Sequence, residues 1–372
     1  MQATRAIIHL KNLRRNIGAI KQHTTIKGHH PEICMAVKAD AYGHGAVEIA
    51  KAALSAGVGY FGVATVQEGI ELREAGIDTP ILLFSLPLPE ELEALCLHSI
   101  ATVAADIDLV KLIEKESEKH RVTGYIHLKV DTGMGRIGCF PGDALEIVKY
   151  IDNSRYLSLG GICTHFSDAD SENRDFRKKQ LSIFNNLLGA IGEKGFFTGI
   201  IHAANSGAII DFPESYFDMI RPGITAYGYY PSNTQKERLS LKPVMSLESR
   251  IVFKKRVKRG TPISYGRTYR PDRDTVIATL PAGYGDGYSR LLSNKAGVLI
   301  RGKQYPVAGR ICMDQLMIDL GPNGNRIKLY EKAILFGSEK GAQDAGDLAK
   351  IIGTIPYEIT CNINKRVPRL YC

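Results

Sequence analysis

No stretch of this 372-residue chain approaches the roughly 18 consecutive apolar residues that cross a bilayer. The first ten residues hold only a short apolar run, Ala6 to Ile8, without a cleavage-site pattern, so no signal peptide is expected. The seven cysteines (Cys34, Cys96, Cys139, Cys163, Cys312, Cys361, Cys372) are scattered, odd in number and free of C-x-x-C pairs. That argues against a disulfide framework and against a zinc site, and it fits a reducing, cytoplasmic setting with no metal. There is no fixed-period repeat and no low-complexity tract. Acidic residues are the minority: 39 Asp and Glu against 48 Lys and Arg give a net charge of +9. The densest basic cluster, Lys254-Lys255-Arg256 with Lys258 and Arg259, lies on an alternating, strand-like segment without a DNA or RNA motif. It reads as a solvated basic face, with steering of a small anion as the other use, and neither a nucleic acid nor a membrane is expected as partner.

The 44% hydrophobic and 23% charged residues are ordinary for a globular chain of this length, which suggests a large barrel, two domains, or both. Short apolar runs recur at Ile33–Val37, Tyr60–Ala64, Ile81–Phe84, Ile100–Val103, Tyr125–Val130, Leu159–Thr164, Ile200–Ala203 and Phe217–Ile220. Amphipathic helical patterns lie between most of them, as at Val66–Ala75, Glu90–His98, Asp106–His120 and Arg174–Lys194. About eight such units predict an α/β fold, a closed (β/α)8 TIM-like barrel, over residues 11–235. After Leu239 short β-rich runs appear (Ser246–Phe253, Thr275–Leu280, Gly297–Ile300, Leu316–Leu320, Ala333–Phe336), with one helical stretch at Asp344–Ile352. Residues 236–372 are therefore expected to form a mostly β C-terminal domain, with residues 1–10 adding a strand to it and Pro231–Gln235 serving as linker.

The segment Ala36-Val37-Lys38-Ala39-Asp40-Ala41-Tyr42-Gly43-His44-Gly45 puts a lysine where a buried strand runs out. Partial desolvation there disfavours the ammonium form and makes Lys38 a candidate nucleophile toward a carbonyl. Barrels carry chemistry at the C-terminal ends of their strands, where Lys129 with Asp131, His165 and Arg221 also fall. Each has a bland alternative: an internal Lys129–Asp131 ion pair, a core histidine, a structural arginine. Asn205-Ser206-Gly207 opens a short helical run and Arg221-Pro222-Gly223-Ile224 turns sharply, and such turns bind phosphate oxygens. A reactive lysine facing a phosphate site suggests pyridoxal 5′-phosphate.

The blocks AVKADAYGHGA (36–46), LKVDTGMGRIG (128–138), RPGITAY (221–227), SYGRTY (264–269), PAGYGDGY (281–288) and GRICMDQ (309–315) together resemble the alanine racemase family over nearly the whole length. The resemblance implies a homodimeric pyridoxal-phosphate enzyme that interconverts L- and D-alanine, supplying D-alanine for peptidoglycan. It implies that Lys38 holds the cofactor covalently, that Tyr42, Ser206, Gly223, Ile224 and Tyr357 hold its phosphate, that Arg221 faces the pyridine nitrogen, and that His165 lies against the ring. Arg136 and Met313 would contact substrate, with Asp314, Tyr284 and Lys129 in support, the last as a carbamate. Tyr265 would be a second base reaching in, with Met313 and Asp314, from a partner subunit. Two bases on opposite faces of Cα allow both directions, each contributing on the order of 10²–10⁴-fold. The alternatives are a racemase of another small amino acid such as serine, or a pyridoxal-phosphate decarboxylase of the same architecture. Decarboxylases place a carboxylate at the pyridine nitrogen, where this sequence offers Arg221.

Overall fold

The apolar runs of the first two-thirds become strands because each is buried on both sides, as parallel strands in a barrel must be. The structure, a computed structural model, describes residues 2–236 and 238–372. A short N-terminal strand β1 (Arg5–Ile8) precedes the barrel strands β2 (Glu32–Ala36), β3 (Tyr60–Val63), β4 (Ile81–Leu83), β5 (Ile100–Ala104), β6 (Gly124–Lys129), β7 (Leu157–Cys163), β8 (Ile200–His202) and β9 (Met219–Ile220). These eight pair in chain order, all parallel, and β9 closes on β2 through Glu32↔Met219 and Ile33↔Ile220. The outer helices show how the sequence directs this. Asp106 accepts the Leu109 N–H at 2.8 Å and starts the helix Ile107–His120, whose Val110, Ile113 and Ser117 face inward at helical spacing. Burying an Ile or Val side chain there contributes about 1.5–3 kcal/mol. Inside the barrel, Cys34, Leu82, Val103, Cys163 and Met219 form a separate buried plug, so two of the thiols serve as small core groups.

The C-terminal domain adds β10 (Met245–Arg250), β11 (Phe253–Val257), β12 (Thr275–Leu280), β13 (Gly297–Ile300), β14 (Lys303–Pro306), β15 (Leu316–Asp319), β16 (Lys332–Phe336) and β17 (Arg369–Tyr371). One sheet runs β14-β13-β16-β10-β1-β17 and the other β11-β12-β15. β1 lies between β10, antiparallel, and β17, parallel, so the N-terminal segment is built into the C-terminal domain. One expectation needs correction. The run Ser246–Phe253 is not one strand: the chain changes sheets at Ile251 and Val252, whose backbones bond to Glu331 and Tyr330 on one side and to Thr279 on the other. Within the expected linker Pro231–Gln235, Gln235 is buried and donates from Nε2 to the Gly207 carbonyl at 3.0 Å.

Candidate active site

Eight parallel strands deliver their ends to one mouth, and a cavity of about 490 Å³ opens there. Lys38, Tyr42, Lys129, Arg136, His165, Ser206, Arg221, Gly223 and Tyr357 all line it. All but Tyr357 come from barrel loops and strand ends; Tyr357 comes from the helix Pro356–Cys361 of the C-terminal domain. Asp131 is the exception among the strand-end residues. Its carboxylate turns away to accept the N–H groups of Gly133, Met134 and Gly135 at 2.8–3.2 Å, because β6 ends at Lys129 and the chain turns. The Lys129–Asp131 ion pair does not form among the described residues.

Lys38 begins an unusual turn. Ala39, Asp40, Ala41 and Tyr42 all have φ of 52–54° and ψ of 38–51°, one turn of left-handed helix made without glycine. Glu68 fastens it, accepting the Ala39 N–H and the Ala64 N–H, each at 2.7 Å. The sequence hides this role, since Thr65-x-x-Glu68 reads as an ordinary capping box; Thr65 does cap the helix, at 3.2 Å from Glu68 N, while the Glu68 side chain reaches past it. Burial and the neighbouring Arg136 lower the Lys38 pKa, against a smaller opposing pull from Glu68.

The opposite wall is cationic. Arg221 is buried and donates to the Thr164 carbonyl at 2.7 Å, the Ala203 carbonyl at 3.0 Å, His165 Nδ1 at 3.4 Å and His202 Nδ1 at 2.7 Å. A guanidinium can only donate, so His202 carries its proton on Nε2 and passes it to His127 Nδ1 at 2.8 Å. His202 and His127 sit inside strands β8 and β6, where the sequence reads as barrel core, and nothing in the spacing marks them. Burial and the charge of Arg221 hold both imidazoles neutral, His127 at about 4. His165 is pushed well below its ordinary range by burial, then by Lys129, Arg221, Arg136 and Lys38. Burial, then Arg221 and Arg136, brings the Lys129 ammonium down to about 8.

At the third side, Ser206 Oγ accepts the Gly223 N–H at 2.9 Å and lies 3.2 Å from Thr225 Oγ1. Asn205 caps the helix Ser206–Asp211 by accepting the Ala208 N–H at 3.1 Å, and its Nδ2 lies 3.4 Å from His165 Nε2. Tyr42 packs between Tyr227 and Tyr357, ring centroids at 4.9 and 5.7 Å. Burial holds the phenols of Tyr42 and Tyr357 well above their usual range. Ile224 is wholly buried beside this corner and its side chain does not reach the cavity. Tyr265, Tyr284, Met313 and Asp314 do not reach it either. They form a surface group on the C-terminal domain: Tyr265 is 67% exposed, the Tyr284 N–H donates to the Cys312 carbonyl at 3.1 Å, and Arg366 spans Asp286 and Asp314 at 2.8 and 2.9 Å.

The family model described as alanine racemase, N-terminal domain, matches residues 8–231, and its C-terminal counterpart matches residues 244–371. The chain is 46% identical to the alanine racemase of Treponema denticola, with 100% of this chain and 98% of that protein covered. Its fold is similar to the solved alanine racemase of Clostridium difficile at a TM-score of 0.94 and 38% identity, covering 100% and 96% of the two chains. It is similar also to the Bacillus anthracis alanine racemase solved with bound L-Ala-P, at a TM-score of 0.91 and 34% identity, covering 100% and 95%. Likeness of this extent over both domains, around a cavity with an amine and a buried guanidinium, has one reading: the chain belongs to the alanine racemase family and interconverts L- and D-alanine.

Proposed function

We propose that the cavity takes pyridoxal 5′-phosphate, held covalently by Lys38, and that a second copy of the chain completes each site with Tyr265. The phosphate corner fits such a group. A Cβ on Gly223 would lie 2.6 Å from Tyr42 Oη and 3.7 Å from Ser206 Oγ, so its absence leaves a gap edged by hydroxyls that a phosphate oxygen can enter. Tyr42, Ser206, Gly223 and Tyr357 would hold the phosphate, with Ile224 contributing only backbone; Arg221 would meet the ring nitrogen, and His165 the ring face. When bound, the cofactor supplies an electron sink that acidifies the substrate Cα–H.

The chain's own residues would do the rest. Lys38, its ammonium form disfavoured by burial and Arg136, carries the proton on one face of Cα. Arg221 donates without giving up a proton, which leaves the ring a moderate sink and favours quick return of the proton over side reactions. Arg136 takes the substrate carboxylate. Lys129, with a pKa near 8, has a neutral fraction able to add to carbon dioxide with loss of one proton, and the resulting carbamate anion would orient Arg136.

The observation that carries the shared site is that Lys38 lines the cavity whereas Tyr265 of the same copy stands on the surface, as Tyr284, Met313 and Asp314 do. The test is complementation. Lys38→Ala and Tyr265→Phe proteins, each crippled alone, are co-expressed with different tags and the mixed dimer is isolated. A shared site leaves one of the two sites free of both substitutions, so the mixed dimer regains a large part of wild-type racemisation. A mixed dimer as inactive as its parents refutes the sharing.

A further inference from the structure

The phosphate corner is tied to a buried ionic cluster that the chemistry above does not use. Asp211 ends the helix Ser206–Asp211, where a carboxylate faces the helix's own carbonyl end and is locally unfavourable. Three guanidiniums offset this. Arg177 reaches it with Nη1 at 3.0 Å and Nη2 at 3.5 Å, Arg238 at 3.2 Å and Arg174 at 3.7 Å, and Gln235 Nε2 adds a bond at 3.3 Å. Arg177 is wholly buried, and its Nε has no acceptor among the described residues. Asp211 is therefore the anion that makes this buried cation tolerable.

The cluster gathers three stretches of chain that meet at the cavity. Arg177 also donates to the carbonyl of Ala169, and Asp170, next in sequence, lines the cavity. That loop lies hard against Gly207: a Cβ there would be 3.0 Å from Ala169 Cβ and 3.1 Å from the Asp170 nitrogen. Gln235, on the connection to the C-terminal domain, bonds both Asp211 and the Gly207 carbonyl. One carboxylate thus binds the helix that carries Ser206, the loop pressed on Gly207, and the connection between the domains.

We infer that Asp211 is a positioning residue for a phosphate monoester: through Arg177, Gln235 and Arg238 it sets the spacing of Ser206 and Gly207 that the phosphate corner requires. This rests on the pyridoxal-phosphate reading, and the experiment separates the two. Full-length protein stripped of cofactor is titrated with pyridoxal 5′-phosphate and with pyridoxal, which lacks the phosphate, following protein fluorescence. Asp211→Ala is expected to weaken the phosphorylated ligand by at least about tenfold while changing pyridoxal by less than about twofold. Asp211→Asn, which keeps hydrogen-bond acceptors but not the charge, falls between. Arg238→Met, which spares the buried Arg177 pair, guards against a variant that does not fold and should show the same selective loss, smaller. Equal losses for both ligands mean general destabilisation and overturn the inference, as does an unchanged preference for the phosphorylated ligand in folded variants. A wild-type protein with no preference for the phosphorylated ligand overturns the cofactor reading instead.

Discussion

Stability should fall as the pH drops from 7.5 to 5, because the fold keeps several imidazoles neutral, His44 and His127 among them. Burial is the main cause at both, and it holds His44 and His127 at about 4, against an ordinary histidine value of 6.5. His44 gives its Nδ1 proton to the carbonyls of Ala41 and Tyr42, each at 2.9 Å, and feels the charge of Arg369; His127 accepts from His202 and feels Arg221. Because the folded values are depressed, the unfolded chain binds protons first. The stabilisation is fully present above pH 6.5 and is lost progressively until about pH 4, below which no further loss comes from these groups. At pH 5 each imidazole removes about 2 kcal/mol and the pair about 4, a large part of a typical folding free energy of about 5–15 kcal/mol. At that pH most carboxylates remain ionised, so the effect is separable from acid unfolding.

The assay is urea unfolding at pH 7.5 and 5, compared with His44→Asn and His127→Asn. The Asn amide can replace the Nδ1 donor of His44 and the Nδ1 acceptor of His127 without titrating. Each substitution costs stability at pH 7.5, but the drop on going to pH 5 should shrink by about 2 kcal/mol per replaced imidazole. If wild type and both variants lose the same amount between the two pH values, the neutral-histidine account is wrong.

Lys38→Ala should abolish racemisation and the visible absorbance of the bound cofactor while leaving the far-ultraviolet circular dichroism unchanged; activity that persists without added amine would exclude Lys38 as the reactive lysine. Tyr265→Phe should make solvent-deuterium exchange at Cα strongly one-sided between L- and D-alanine, and equal exchange from both enantiomers at near-normal rates would remove Tyr265 as a base. Lys129→Ala should lose activity and regain part of it with a small carboxylate in the buffer; intact-mass measurement of an unmodified lysine in active enzyme, without rescue, would defeat the carbamate. Glu68→Gln, which replaces a carboxylate that accepts two N–H groups at 2.7 Å by one carbonyl, should cost about 1–3 kcal/mol in urea unfolding and lower kcat more than KM; no change in either would mean the Lys38 turn holds without it.

The barrel was legible because parallel strands buried on both faces leave apolar runs, and because several runs end at a polar residue that lines the cavity, as Lys129 and Arg221 do. What periodicity carries is neighbourhood along the chain, not direction in space. The corner at Ile251–Val252 carries two β-branched residues and no Gly or Pro, so Ser246–Phe253 reads as one. Alternation predicts Asp131 beside Lys129, but the strand has already ended, and three backbone N–H groups outbid the cavity for its carboxylate. Tyr265 and Met313 stand in recognisable motif blocks, yet no pattern in one chain tells that both side chains are exposed and away from its own cavity.

The turn after Lys38 is the sharpest case of this limit. Its sequence, Lys-Ala-Asp-Ala-Tyr, is rich in residues that enter right-handed helices, and local propensity alone would extend one there. Four residues in the left-handed region instead cost about 1–2 kcal/mol each. The surroundings offset that cost: Glu68 at the Ala39 N–H, Asp40 capping Ala46 at 2.8 Å, His44 on two carbonyls of the turn, and Arg369 of β17 donating to Gly43 O at 3.1 Å. Two of these partners, Glu68 and Arg369, come from elsewhere in the chain, the second more than 300 residues away, so the conformation is a property of the assembled fold. Lys38 and Tyr42, at the two ends of this turn, both line the cavity, so the strain sits at the candidate site, where such strain commonly gathers.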